Sequence, residues 1–137
     1  MKSSNWAIAQ LPGLSSQDSA QLEAKKIYTT LQLIQQGSTQ AKRNQLATQL
    51  QIHTKHVNKW VALADLSRIP AVGCRYCGLL LHAGVSSSAQ LAQTPIHKLY
   101  PQVRRFYAAV LRQMQDCPAA NEVSQWIQEA RSLSGHS

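Results

Sequence analysis

Apolar residues along this chain recur three and four positions apart, and apolar-polar alternation is almost absent. Trp60, Leu63, Ala64 and Ser67 share one face at helical spacing, the mark of an amphipathic helix laid against a core. Ile69-Pro70 ends that helix, because the residue before a proline avoids the α region. A new helix is expected from Gly73 or Cys74, with Cys74, Cys77 and Leu81 as its stripe, Leu80 beside it and a left-handed Gly84 as its stop. Val85 then packs back, and Ser87-Ser88-Ala89-Gln90 forms a capping box for a short helix. A longer helix follows from Val103 to Met114, carrying Phe106, Ala109, Val110 and Met114 inward and Arg104, Arg105 and Arg112 outward. Asn121 caps a last helix that contains Trp126. The fold class is all-α.

The same order of elements occurs earlier in the chain. Leu11 through Gln36 overlays Ile69 through Thr94 without a gap at a spacing of 58, with Pro12 on Pro70, Leu22 on Leu80, Ile27 on Val85 and Gln32-Leu33 on Gln90-Leu91. Ser15 to Asp18 caps the first helix, Thr29-Thr30-Leu31-Gln32 is the matching box, and Ala41 to Leu50 turns Leu46, Ala47 and Leu50 inward. Thr54 caps the helix of Trp60. The offset grows to 62 at Lys42-Arg43 and Arg104-Arg105, then to 66 at Trp60 and Trp126. Loop insertions around Thr94 to Pro101 and Asp116 to Ala120 account for the drift. Trp6-Ala7-Ile8 is a weaker third echo. A unit used twice predicts repeat one over about 5–66 and repeat two over about 60–134, sharing the Trp60 helix. With 137 residues, the halves are expected to share one core as a single domain with a C-terminal capping helix.

Charge changes the picture more than composition does. The net charge is +8, and residues 1–65 and 66–137 each hold seven Lys or Arg against three acids. A basic excess spread through folded repeats points to an anionic partner. Three cysteines, an odd number, argue against a disulfide framework and for a reducing, cytoplasmic location. No apolar run approaches membrane-spanning length, since Leu79-Leu80-Leu81 is interrupted at His82.

Two segments resemble helix-hairpin-helix motifs. These are Leu11-Pro12-Gly13-Leu14-Ser15 with Ile27-Tyr28-Thr29-Thr30-Leu31, and Ile69-Pro70-Ala71-Val72-Gly73 with Gly84-Val85-Ser86-Ser87. The whole chain also resembles an uncharacterised helix-hairpin-helix-like family, a domain of unknown function common in cyanobacteria. The resemblance implies sequence-independent binding to a nucleic-acid backbone, with amide N–H groups at a helix start and glycines that admit a phosphate. Gly13 and Gly73 are the glycines kept, while Ser15 and Ala71 replace their partners. Arg68 and Arg75 bracket the second turn and make it the better candidate. Lys42, Arg43, Arg104 and Arg105 extend the basic face.

Cys74-Arg75-Tyr76-Cys77 is a lone C-x-x-C with His82 five residues on, the weakest form of a metal or redox signal; both sulfurs fall on an apolar stripe. Trp60 and Trp126 belong to the core, whereas Tyr28, Tyr76 and Tyr107 are candidate surface aromatics. Paired carboxylates, a nucleophile elbow and a phosphate-binding lysine loop are all missing, so the chain is expected to be no enzyme and to carry no cofactor. Two readings remain. The first is sequence-independent nucleic-acid binding, mainly DNA, through the second hairpin; the second is a protein-interaction adaptor using the same repeats.

Overall fold

The computed structural model describes residues 3–111 and 117–135, with side chains over 3–109 and 117–133. Regular structure among these residues is helical: α1 Ser16–Ala24, α2 Thr30–Gln36, α3 Gln40–Leu50, α4 Thr54–Ser67, α5 Gly73–His82, α6 Ser88–Gln93, α7 Ile96–Leu111 and α8 Ala120–Gly135, after a single 3-10 turn Ile8–Gln10. The all-α class expected from the periodicity is the class observed.

Caps explain most of the helix starts. Ser15 Oγ accepts from the Asp18 amide while Asp18 accepts from the Ser15 amide. Thr29 and Gln32 repeat this arrangement at α2, and Gln32 Oε1 also accepts from Tyr28 N–H at 2.7 Å. At α6, Ser87 caps Gln90 and Gln90 Oε1 accepts from Ser86 N–H at 2.9 Å. The turns that close α1 and α5 correspond as well. Ile27 N–H donates to Leu22 O at 3.0 Å and Val85 N–H to Leu80 O at 2.9 Å, each just after a left-handed residue, Lys26 (φ 65) or Gly84 (φ 98).

Packing follows from these elements. Helices α2 and α3 lie on α4, α6 and α7 lie on α8, and α5 sits on α4. Trp60 and Trp126 are buried among Val57, Leu63, Leu80, Leu91 and Ile127 in one hydrophobic cluster. Asp65 on α4 links the halves by accepting from Ser88 N–H at 2.7 Å and from Ser88 Oγ, so it caps α6 from outside. Buried donors at a helix start need such an acceptor.

Several expectations are corrected. The bends at Pro12 and Pro70 have unlike shapes. In the first, Gly13 is left-handed (φ 79) and Ser15 is an extended cap (φ −74). In the second, Ile69 O accepts from both Val72 and Gly73, and Gly73 is left-handed (φ 54) at the head of α5. Without a capping side chain there, the chain winds directly into the helix through a glycine. Helix α7 begins at Ile96, not Val103, and contains Pro101; the carbonyl that loses its helical amide belongs to His97, and both residues are exposed, so that carbonyl is not left in the core. Its buried stripe is Leu99, Val103 and Tyr107, while Phe106 is half-buried and Ala109 exposed. Val110, Arg112 and Met114 lie outside the described side chains. His53, not Thr54, caps α4 through Nδ1, and Asn121 falls inside α8. Trp6 is not helical: it lies in an extended segment bridged at Ala7 to Thr29.

Candidate functional site

Around the second hairpin the chain satisfies its own turn. Glu129, buried on α8, accepts from Ala71 N–H at 2.8 Å and from Gln125 Nε2 at 2.8 Å. The Val72 and Gly73 amides go to Ile69 O. Trp6 covers Gly73: a side chain started there would stand 3.0 Å from Trp6 Cζ2, and the indole N–H donates to Ser67 O at 2.9 Å. Arg68 is no free bracket, since its guanidinium lies 3.4 Å from Asp65 and reaches Ser88. Its Nε is buried without a hydrogen bond. Arg75 is exposed, with its guanidinium 4.9 Å from the Tyr76 ring centre, beside a concavity of about 400 Å³ that Glu122 also lines. Two carboxylates therefore stand at this turn, and they oppose an anion.

The first hairpin is arranged differently. Gly13 is exposed, and Lys59 Nζ on α4 lies 3.8 Å from the place a Gly13 side chain would begin. Lys59, His82 and Gly13 line one small concavity of about 70 Å³. Asp18 holds the Ser15 amide, so cations rather than bare amides offer the attraction here. Sequence reasoning passed over Lys59, although the offset of 66 sets it on Gln125, beside the residue whose carboxylate serves the other turn.

The remaining candidates divide. Arg43 is a structural clamp: Nε donates to Asn58 at 2.9 Å, one terminal nitrogen to Gly37 O at 2.8 Å and the other to Gln40 at 3.1 Å. Lys42 beside it is exposed in the first turn of α3. Arg104 lies over the Tyr100 ring at 5.6 Å and Arg105 is exposed, but both sit in mid-helix on α7 and so do not correspond to Lys42 and Arg43. Cys77 is fully buried, and burial together with the neighbouring Cys74 pushes its thiol up to about 12. Burial raises Cys74 too. Reactive thiols are shifted the other way. Among the described residues no group of three or more His, Cys, Asp or Glu is placed to hold a metal ion, and no helix is long and apolar enough to cross a membrane. Tyr28 is half-exposed, as expected, whereas Tyr107 is buried.

A family model described as Domain of unknown function (DUF4332) matches residues 12–133. The chain belongs to this family. The DUF4332 match runs from the first hairpin into α8 and so takes in both turns and both Trp helices. Curated proteins and solved structures gave no match.

Proposed function

We propose that this protein is a non-catalytic cytoplasmic module that binds nucleic acid through the sugar-phosphate backbone, independently of sequence, and that the contact is the first hairpin. The observation that carries this is the Lys59 ammonium, without an ion-pair partner among the described residues and set against the exposed, left-handed Gly13. The wider charge pattern supports it. Among the described residues the only ion pair is Arg68–Asp65 in a chain of net charge +8. Asp18, Asp65 and Glu129 turn their carboxylates onto backbone amides and so do less to offset the exposed cations. The helix-hairpin-helix likeness of Leu11-Pro12-Gly13-Leu14 points the same way, with lysine supplying what the capped amides of α1 do not.

Binding to labelled duplexes of unrelated sequence, followed by anisotropy across a salt series, tests the reading. Affinity should be alike for all sequences and fall steeply with salt. Lys59→Gln should weaken every duplex equally and flatten the log–log salt slope by about one. Wild-type protein that ignores duplexes at low salt would refute it and favour the adaptor reading.

A further inference from the structure

The chain contains its own control for one surface patch. The turn that ends α1 and the turn that ends α5 share their backbone: the same left-handed residue, the same return bond to a leucine carbonyl, the same glutamine reaching back from the next helix. In the second copy that backbone is built from Ala83, Gly84, Val85 and Ser86; in the first it is built from Lys25, Lys26, Ile27 and Tyr28. Ile27 and Val85 are both buried and do the same packing. The other three positions differ in kind. Folding needs only small residues there, yet the first copy presents two exposed lysines and the only large hydrophobic side chain that is exposed among the described residues, Tyr28 at 52%.

Lys26 also sits where the fold favours glycine. A residue with a Cβ is strained at φ 65, and here, as at Gln51 (φ 59) after α3, the surrounding turn holds it there. Tyr28 is held from both sides: its amide donates to Gln32, and its carbonyl accepts from Ile8 N–H at 2.9 Å. Glu23 is the nearest acid in sequence, and it forms no ion pair with either lysine. An aromatic ring on a fixed backbone beside two ammonium groups that have no ion pair among the described residues suits a ligand with flat rings strung on an anionic chain.

We infer that Lys25, Lys26 and Tyr28 form a contact for single-stranded nucleic acid, in which a base stacks on Tyr28 and adjoining phosphates meet the two lysines. This rests on the nucleic-acid reading above but uses a separate surface. The patch lies at the C-terminal end of α1 and the Gly13 turn at its N-terminal end, about 14 Å apart by helical rise. A strand whose bases are free can stack where a duplex cannot.

The test compares a short labelled oligothymidylate with a duplex, using the full chain. Tyr28→Ala is expected to weaken oligothymidylate binding about tenfold, within the range of one base-aromatic stack, and to leave duplex binding unchanged. Tyr28→Phe should keep both affinities, because stacking does not need the hydroxyl. Lys26→Gly should weaken the single strand and flatten its salt slope by about one, with a folded state no less stable than wild type. If Tyr28→Ala binds oligothymidylate as wild type does, while Lys59→Gln still weakens the duplex, the patch is overturned and the hairpin reading stands. If the wild type binds neither nucleic acid but does bind polyglutamate, both readings fall.

Discussion

Replacing Lys26 with glycine should stabilise the protein, against the usual expectation for glycine. At φ 65 a residue with a Cβ meets the following carbonyl at a cost of about 1–2 kcal/mol, which glycine does not incur. Against this stands the extra freedom glycine gives the unfolded chain, about 0.5–1 kcal/mol. The net gain is about 0.5–1 kcal/mol. For 137 residues at roughly 2 cal/mol/K each, the unfolding entropy is near 0.3 kcal/mol/K, so Tm should rise by about 2–3 °C. Urea unfolding at constant m-value would read the change directly. The reciprocal Gly84→Lys is the control, because Gly84 has φ 98 and nothing within 4 Å of a new side chain; it should lose stability through the backbone alone. Should Lys26→Gly prove neutral or harmful while Gly84→Lys is tolerated, these turns relax without strain and the argument for a retained lysine fails.

Gly73→Val combines a left-handed φ of 54 with a neighbour 3.0 Å away at Trp6 Cζ2, and a loss of about 2–3 kcal/mol is expected in urea melts; native stability would show that the turn can reverse. Cys77 should resist a disulfide reagent in the folded protein and react on denaturation. Its neutral thiol contributes stability that is complete below the ordinary thiol value of 9.0 and declines as pH rises from there toward about 12, with a slope of up to about 1.4 kcal/mol per pH unit. A Cys77→Ala variant should show a flatter alkaline limb of the stability-pH curve, and an identical limb would remove the assignment.

Local rules were legible in the sequence where they are carried by few residues. Thr29 with Gln32 and Ser87 with Gln90 announced two helix starts, and Trp60 and Trp126 announced two buried faces. Pro101 misled because a proline signals a stop unless the orphaned carbonyl faces water, and exposure is a tertiary fact. The stripe of α7 was displaced by one position for the same reason: Phe106 and Tyr107 are both apolar enough, and the packing of α7 against α8 and α5 selects Tyr107. The site was less legible than the fold. Arg68 and Arg43 look free in a linear reading; Asp65 and Gln40 engage them from one helical turn away and were within local reach, whereas Asn58 and Ser88 are brought near only by folding. Glu129 reaches Ala71 across 58 residues, a contact that no local pattern encodes. Lys26 aligns with Gly84 at the spacing of 58, a signal that the linear reading passed over.

The indole of Trp6 fastens the start of the chain to Ser67, sixty-one residues later, and the Ser4 amide donates to Arg68 O beside it. Such a clasp closes a long loop, whose entropic cost is met only once α4 is complete. Until the end of α4 exists that clasp has no acceptor, and the segment around Trp6 is held by its nearer partners, the Ala7–Thr29 bridge and the hydrogen bonds between Trp6 and Thr30. That segment is therefore placed by α2 and locked by the far end of α4.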